Sequence, residues 1–313
     1  MNSSNESNSS IPAIGVVGAG AMGQGIAQLF STAGSPVLLF DIDQQKSVNA
    51  INEITRLINR KVDKGSMTAE EANQVLSRIT IIDDIARLNG AEIIIEAIVE
   101  DLKVKSDLFK RLESIVSPQT VLATNTSSLS VNQIASQCDI PERVVGLHFF
   151  NPVPLMKLVE LIRSDRVNES YIANLKDVVT QTGHSVVVVN DTPGFLVNHA
   201  GRAFSTEGLK MLQERVADHE TLDAIIREAG SFRMGPFELL DLTGLDVSLP
   251  VMEEVYASYY QEPRLRPSEL GKRRLNAGLL GRKSGQGFYN YSLGNEENHE
   301  SINAKTSDHS FWH

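Results

Sequence analysis

The chain has 313 residues, of which 41% are hydrophobic and 22% are charged, so it can bury one large core or two moderate cores. Its net charge of -10 argues against nucleic acid as a partner, and no apolar run approaches the roughly 18 residues that a membrane span needs. The single cysteine, Cys138, excludes an internal disulfide, is interpreted as structural, and fits a reducing, cytoplasmic compartment. No metal site is predicted.

Both ends of the sequence are polar. Residues 1–10 lack the basic end and the apolar stretch of a signal peptide, and we expect them to form a disordered tail. Residues 292–313 form a second polar tail, for which we predict no part in a core. Between the tails, the sequence predicts one domain at 11–190 and another at 191–291.

The first domain alternates segments typical of strands and helices, which predicts an α/β fold with a mainly parallel sheet. Strands are predicted at Ile14–Val17, Val37–Phe40, 93–98, 120–123 and 144–148. Helices are predicted at 24–32, 44–64, 69–76, 101–115 and 131–136.

Three glycines, Gly18, Gly20 and Gly23, follow the first strand in G-x-G-x-x-G order, with Ala21 and Met22 before the last. In such a loop the first glycine allows a tight turn, the second lets the backbone approach a pyrophosphate, and the third lets the helix pack close to the strand. The phosphate lies at the helix N-terminus, where free N–H groups and the helix dipole favour negative charge. The spacing predicts a Rossmann-type dinucleotide site formed by these five residues.

Asp41 ends the second predicted strand, eighteen residues after the last of these glycines. A carboxylate at this place can accept hydrogen bonds from both ribose hydroxyls but would repel a 2′-phosphate. No arginine follows it directly. We therefore predict NAD rather than NADP as the cofactor.

His148 ends a predicted strand and is expected at the carboxyl edge of the sheet, where ligands bind in such folds. Glu160 lies among apolar residues, and a buried acid needs a partner. Paired with His148, Glu160 could fix the ring tautomer and stabilise the imidazolium that forms when the ring accepts a proton. Two alternatives stay open: a packed core histidine, and a salt bridge from Glu160 to Lys157 or Arg163.

Asn125, Ser127 and Ser128 follow another predicted strand, so they are expected at the same edge of the sheet. Their hydroxyl and amide groups could contact a ligand. The alternative is helix capping, with Ser128 or Ser130 at the start of the helix near residue 131.

Beyond residue 190 the pattern changes to long helical segments that continue to about residue 260. Asp191 or Thr192 is predicted to cap the first of these helices, with Pro193 in its first turn. Asn198 in this segment and Asn151 before it could each donate to a substrate carbonyl or satisfy a neighbouring turn or helix.

The predicted helix at 44–64 carries Arg56, Arg60 and Lys64 at four-residue spacing, with Lys61 adjacent. Three cations then share one face of the helix. In a protein of net charge -10, such a face could bind a ligand rich in phosphate, such as coenzyme A. The alternative is a solvated basic face balanced by the acids at 70 and 71.

Seven segments in the right order resemble the L-3-hydroxyacyl-CoA dehydrogenase family in its short, single-function form. The resemblance extends from about residue 11 to residue 291, and the two polar tails lie outside it. Its segments are 95–105, 124–129, 146–154, 157–160, 191–198, 234–241 and 281–289.

The resemblance implies roles for residues of the reacting centre. His148 matches the family's catalytic base and Glu160 its orienting partner. Ser127 and Asn198 match residues that contact substrate or assist at the reacting oxygen, and Asn151 matches one near the nicotinamide.

The resemblance also implies ligand contacts away from that centre. Glu100, Lys105 and Lys283 match cofactor contacts, as does Ser127, and Lys61 aligns with a coenzyme A contact. With Arg56, Arg60 and Ser127, Lys61 forms the predicted coenzyme A site.

The implied reaction is the reversible, NAD-dependent oxidation of an L-3-hydroxyacyl-CoA to the 3-oxoacyl-CoA. A short-chain substrate such as 3-hydroxybutyryl-CoA is expected, with 3-hydroxyadipyl-CoA as the alternative. A dehydrogenase of free hydroxy acids or sugar acids, and a nonenzymatic NAD-binding protein, are the other classes considered. The resemblance further implies a homodimer formed through the helical domain, and residues 234–251 offer an apolar patch for it.

Overall fold

The structure is a computed structural model that describes residues 12–292. The two predicted tails therefore lie outside the described residues, apart from residue 292. The chain divides into two compact units between Leu196 and Val197. The sequence places this boundary near residue 190, a few residues earlier.

Within residues 12–196, eight strands form one sheet in the order β3-β2-β1-β4-β5-β6-β7-β8. The strands are β1 (Ile14–Val17), β2 (Val37–Phe40), β3 (Ile79–Ile81), β4 (Ile93–Glu96), β5 (Val121–Thr124), β6 (Val144–Phe149), β7 (Leu158–Arg163) and β8 (Ser185–Asn190). Neighbouring strands are parallel, except that β6 and β7 are antiparallel. The chain leaves β1 toward β2 and returns on its other side at β4, which makes the gap between β1 and β4 a topological switch point.

Apolar side chains cover both faces of the central strands. All four residues of β1, β4 and β5 are buried, as expected for parallel strands with helices on both faces. The predicted α/β fold is confirmed. The carboxyl ends of β1, β4, β5 and β6 meet at one edge of the sheet, where the candidate site lies.

The helices of the first unit begin at side-chain caps in most cases. Asp43, Thr68, Asp101 and Ser130 each accept a backbone N–H in the first turn of the following helix, which satisfies donors that the helix itself leaves unpaired. Ser130 thus acts as the predicted cap. The helices are α1 (Ala21–Thr32), α2 (Gln44–Asp63), α3 (Ala69–Ser77), α4 (Leu102–Ile115), α5 (Val131–Ala135) and α6 (Glu169–Gln181).

The predicted helix start at Asp191 is wrong. Gly194 and Phe195 have φ values of +77° and +49°, which a right-handed helix cannot include. The next helix, α7 (Val197–Gln213), begins after them. Asp191 instead accepts hydrogen bonds from the Ser130 hydroxyl at 2.8 Å and the Asn132 N–H at 2.6 Å, so it stabilises the start of α5.

The second unit is helical within residues 197–292 and has its own apolar core, which includes Leu209, Phe237 and Leu249. After α7 its helices are α8 (His219–Gly230), α9 (Pro236–Thr243), α10 (Leu245–Ser258) and α11 (Glu269–Asn276). Asp241 on α9 accepts the backbone N–H groups of Phe288 and Tyr289, at 2.9 and 2.8 Å. This buried carboxylate therefore holds the C-terminal segment against the helices.

Cys138 is buried in the first unit. Burial, with a smaller effect of the Glu113 charge, raises the pKa of its thiol to about 12. A thiol of that pKa is almost entirely protonated at neutral pH, and the thiolate is the nucleophilic form. Its surroundings support the interpretation of a structural cysteine.

In the part of the chain that the structure describes, no helix is both long and apolar enough to cross a membrane.

Candidate active site

A cleft of about 770 Å³ lies at the switch point, beside the glycine loop. Gly18, Gly20, Ala21 and Met22 line it. Apart from Gly20 and its two chain neighbours, no heavy atom of the described residues lies within 4 Å of the place where a Cβ on Gly20 would stand. Gly20 thus leaves room for a ligand against the backbone at the N-terminus of α1.

The other two glycines serve the fold of the loop itself. Gly18 has φ +102°, and a Cβ on it would strike the Ala97 carbonyl. A Cβ on Gly23 would strike the carbonyl of Gly18. Both positions therefore require glycine for close packing of the turn, the helix and the neighbouring strand.

Asp41 lines the same cleft with its carboxylate nearly buried. Its two oxygens accept the backbone N–H groups of Ala19 at 2.8 Å and Asp43 at 2.9 Å. These bonds fix the carboxylate beside the glycine loop, and each oxygen keeps a further lone pair for a hydroxyl. Lys46 and Arg111 also line the cleft. The sequence interpretation missed both, although the position of Lys46 in the helix after Asp41 could have indicated it.

His148 and Glu160 are brought together by the antiparallel pairing of β6 with β7, in which they are register partners. His148 Nδ1 lies 2.7 Å from Glu160 Oε2, and both side chains are buried. The Leu196 N–H donates to Glu160 Oε1 at 2.9 Å. The two side chains are therefore in contact, as the predicted pairing requires. Of the alternative partners Lys157 and Arg163, Arg163 pairs with Glu169.

Aromatic rings surround the imidazole of His148. The ring centroid of Phe150 lies 4.4 Å from it and that of Phe195 lies 5.9 Å from it. Such surroundings exclude water and lower the local dielectric, which strengthens the hydrogen bond to the Glu160 carboxylate.

Glu100 gathers the loop that carries Ser127. Its Oε1 accepts hydrogen bonds from the Thr126 hydroxyl at 2.6 Å and from the N–H groups of Ser127 and Ser128 at 2.9 and 3.3 Å. Burial acts to raise the pKa of Glu100, but the Lys105 charge and these hydrogen bonds outweigh it and hold the pKa below its usual range. Glu100 is thus an anion that organises the loop.

Two polar residues that were candidate ligand contacts have structural partners. Asn125 Oδ1 accepts the Phe149 N–H at 2.9 Å, which ties the end of β5 to the end of β6. Lys105 is 1% exposed, and its Nζ lies 2.5 Å from Glu96 Oε1 and 3.3 Å from Glu100 Oε2. Glu96, the last residue of β4, was not among the sequence candidates.

The remaining candidates from the family resemblance lie on different elements. Asn151 is exposed in the turn between β6 and β7. In the second unit, Asn198 is the second residue of α7, and Lys283 lies in a short 3-10 helix at Arg282–Ser284. The Lys283 ammonium lies 2.8 Å from Asp246 Oδ1.

The predicted basic face lies on α2. Arg56 donates two hydrogen bonds to Glu53 on the same helix, at 2.7 and 2.5 Å. This acid, rather than those at 70 and 71, balances one of the cations, and Glu71 instead closes a capping box with Thr68. Arg60 and Lys64 remain exposed on this face, beside half-buried Lys61.

Two family descriptions match almost all of the described chain. "3-hydroxyacyl-CoA dehydrogenase, NAD binding domain" matches residues 13–192, and "3-hydroxyacyl-CoA dehydrogenase, C-terminal domain" matches residues 194–291. The matches meet within a few residues of the boundary between the two compact units.

Relatives with assigned names include a 3-hydroxyadipyl-CoA dehydrogenase of Escherichia coli K12, 40% identical over 90% of this chain. The chain spans only 59% of that protein's length. A 3-hydroxybutyryl-CoA dehydrogenase of Mycobacterium tuberculosis is 38% identical over 90% of this chain and 99% of its own.

A solved structure agrees in fold as well as in sequence. The crystal structure of 3-hydroxybutyryl-CoA dehydrogenase from Escherichia coli K12 matches with a TM-score of 0.89 and 40% identity, over 91% of this chain and 60% of that chain. These likenesses confirm the resemblance seen in the sequence motifs. The chain belongs to the 3-hydroxyacyl-CoA dehydrogenase family, whose members are NAD-dependent oxidoreductases, and its first unit is the NAD-binding domain of that family.

Proposed function

We propose that this chain oxidises L-3-hydroxyacyl-CoA to 3-oxoacyl-CoA, reversibly, with His148 as the general base. The observation that carries this proposal is the buried contact of 2.7 Å between His148 Nδ1 and Glu160 Oε2. A carboxylate accepts the Nδ1 proton, so Nε2 is the nitrogen that takes the proton of the substrate hydroxyl. Glu160 then stabilises the resulting imidazolium.

The reverse reaction uses the same pair. The imidazolium of His148 returns its Nε2 proton to the 3-oxo group, and Glu160 keeps the ring in place throughout. A positioned base of this kind contributes roughly 10²- to 10⁴-fold to the rate. Burial of both side chains supports the role, since the attraction between the Glu160 carboxylate and the charge formed on the ring is stronger in a region of low dielectric.

The glycine loop and Asp41 are proposed to hold NAD, which accepts the substrate hydride when bound. The open space beside Gly20 fits a pyrophosphate, and the fixed carboxylate of Asp41 fits an adenosine ribose with free hydroxyls. The repulsion between this carboxylate and a 2′-phosphate supports NAD over NADP.

Further contacts are proposed from the family resemblance. Ser127 and Asn198 would assist at the reacting oxygen or bind substrate, and Asn151 would lie near the nicotinamide. Glu100, Lys105 and Lys283 are likewise proposed as cofactor contacts. Each of these charged groups also has a partner within the protein. For Glu100, its hold on the Ser127 loop supports a role at the same edge of the sheet.

Coenzyme A is proposed to bind at the basic face of α2, through Arg60 and Lys61 with a smaller part for Arg56, and near Ser127. The bidentate bond of Arg56 to Glu53 supports this order, because an arginine already paired has less to offer a phosphate. The net charge of -10 makes a local cationic face the natural place for such an anion.

The acyl group is proposed to be short, as in 3-hydroxybutyryl-CoA, with 3-hydroxyadipyl-CoA as the alternative. The names of the relatives support both substrates. The Mycobacterium tuberculosis relative is named a 3-hydroxybutyryl-CoA dehydrogenase, and the Escherichia coli relative whose length this chain covers to 59% is named a 3-hydroxyadipyl-CoA dehydrogenase. A homodimer formed through the helical unit at 234–251 is proposed as the working assembly.

Initial-rate measurement of NADH formation over a panel of 3-hydroxyacyl-CoAs tests the proposal. The panel should include 3-hydroxybutyryl-CoA, a long-chain thioester, 3-hydroxyadipyl-CoA and free 3-hydroxybutyrate as a control. We expect kcat/KM to be highest for a short acyl-CoA and negligible for the free acid. Turnover of the free acid alone would favour the hydroxy-acid class, and no turnover of any thioester would refute the proposal.

A further inference from the structure

Three charged side chains, each in contact with the next, connect β4 with the loop that carries Ser127. Glu96 is fully buried at the end of β4, Lys105 on α4 is 1% exposed, and Glu100 lies in the segment between the two elements. The Lys105 ammonium lies between the two carboxylates, 2.5 Å from Glu96 and 3.3 Å from Glu100.

Glu96 is the fully buried end of this series of charged side chains. Its Oε1 accepts the Ile98 N–H at 2.7 Å as well as the Lys105 ammonium, and its Oε2 accepts the Thr124 hydroxyl at 2.7 Å. The carboxylate therefore connects the ends of β4 and β5 with α4. An ammonium as deeply buried as that of Lys105 needs a fixed anionic partner, since burial of an unpaired charge is strongly unfavourable.

Glu100 connects Lys105 with the loop that carries Ser127. Its Oε2 faces Lys105, while its Oε1 accepts the backbone N–H groups of Ser127 and Ser128 and the hydroxyl of Thr126. The position of the Glu100 carboxylate thus determines the path of the loop. Lys105 in turn positions Glu100, and Glu96 positions Lys105.

We propose that Glu96 is a positioning residue of the active site, which acts through Lys105 and Glu100 on the loop that presents Ser127. The catalytic part of this inference rests on the proposed function, in which Ser127 meets the substrate. Its structural part does not, because the order of the loop can be measured without cofactor or substrate.

Glu96→Gln tests the structural part, because it keeps the size of the side chain and removes the charge. Amide hydrogen exchange of the ligand-free protein should become at least about tenfold faster at Ser127 and Ser128. The matched control is Glu113→Gln on α4, the helix that carries Lys105, where the acid pairs with buried Arg143 at 3.2 Å. It should leave these two amides unchanged, and equal exchange in both variants would overturn the proposal.

A double-mutant cycle on kcat tests the catalytic part. Glu96→Gln alone should lower kcat at least about tenfold, and the same change in a Ser127→Ala background should have little further effect, because both changes disable the same contact. A general loss of stability would instead lower kcat by the same factor in both backgrounds, which would overturn the proposal. A wild-type protein inactive on all thioesters would refute the proposed function and leave the exchange result to decide the structural part.

Thr124→Val provides a milder variant if Glu96→Gln does not fold. It removes one hydrogen bond to Glu96 and leaves the charge in place. Its control is Thr120→Val just before the other end of β5, where the hydroxyl donates to the Ala91 carbonyl at 3.1 Å. Faster exchange at Ser127 and Ser128 in the first variant alone is expected, and equal exchange in the two would count against the proposal.

Discussion

One nitrogen of the His148 ring faces a buried carboxylate, which leaves the other nitrogen as the proton acceptor in the proposed reaction. Nδ1 faces the Glu160 carboxylate, whose other oxygen is held by the Leu196 N–H. Glu160 cannot rotate without losing a hydrogen bond in a region where an unpaired charge is costly. The imidazole is therefore fixed in orientation before any substrate arrives.

His148→Ala should leave NAD affinity almost unchanged and lower kcat by at least ~10²-fold, because only the proton acceptor is lost. Initial rates and a fluorescence titration with NADH measure the two effects. His184→Ala is a matched control, since His184 is also buried in the first unit and bonds to the Val153 carbonyl. It should lower stability and not kcat. Unchanged turnover in the first variant would refute the assignment of the base.

Asp41→Ala should weaken NADH binding about 10- to 150-fold, as expected for loss of a hydrogen bond to a charged group, which contributes about 1.5–3 kcal/mol. Binding of NADPH should weaken less or improve, because repulsion is removed while Lys46 still lines the cleft. Titration of both cofactors gives the ratio of dissociation constants. Asp43→Ala, which removes the same charge from the cap of α2, should leave that ratio unchanged. An unchanged ratio in Asp41→Ala would exclude the ribose role.

At the scale of the element, α2 has an apolar buried face and a charged exposed face. Ser47, Ala50, Ile54 and Ile58 are buried at helical spacing, while Arg56, Arg60 and Lys64 are exposed. The exposed face can therefore be changed without disturbing the core.

Replacing Arg60 and Lys61 together by alanine should raise KM for acyl-CoA and leave NAD binding unchanged. Exposed ion pairs contribute about 0.2–1 kcal/mol each, so two of them correspond to roughly a two- to thirtyfold rise. Arg56→Ala should have a smaller effect, because Glu53 already holds that side chain. Lys103→Ala on α4 is the control for loss of one exposed cation. A KM equal to that of wild type would locate coenzyme A elsewhere.

The start of α5 depends on a residue far along the chain. Asp191→Ala removes the acceptor of the Asn132 N–H and of the Ser130 hydroxyl, and should lower the free energy of unfolding by about 1–2 kcal/mol, as expected for loss of a helix cap. Denaturant titration measures the change. Asp83→Ala, at a largely exposed acid, should change stability by less than about 0.5 kcal/mol. Equal stability of the two variants would contradict the capping role.

The sequence predicted correctly those elements that have a clear local pattern of apolar residues. Strands β1 and β2 have the predicted bounds, because short apolar runs between turns have few other solutions. The three-residue strand β3 at the sheet edge carries no such signal. The false helix start at Asp191 shows the reverse case, in which good capping chemistry is overridden by left-handed backbone at Gly194 and Phe195.

The candidate site follows the same division. His148 and Glu160 could be paired from the sequence, because His148 ends a predicted strand and Glu160 is an acid among apolar residues, which needs a partner. The hold of Glu100 on the Ser127 loop could not, since 27 positions separate the two residues and only the pairing of β4 with β5 brings them together. Nothing in the local sequence distinguishes Glu96 from an ordinary strand residue, because its contacts also depend on the fold.

At the scale of the whole molecule, net charge opposes self-association. Two copies of a chain of charge -10 repel each other, so a homodimer needs apolar contact to overcome the repulsion. Within the predicted patch at 234–251, Leu240, Leu245 and Leu249 are buried in the core of the second unit. Leu242 and Val247 remain 47% and 54% exposed, so these two carry the proposal.

Leu242→Glu combined with Val247→Glu should convert the proposed dimer to a monomer, because it places new charges in an apolar contact. Sedimentation should give about twice 34.3 kDa for the wild type and about 34.3 kDa for the variant. Val216→Glu, at an exposed apolar residue of the same unit outside the patch, should leave the dimer intact. Added salt should tighten the wild-type dimer, since screening weakens the repulsion between like-charged copies and leaves the apolar contact in place. A wild-type monomer at all salt concentrations would contradict the homodimer, and a dimer of the double variant would locate the interface on another surface.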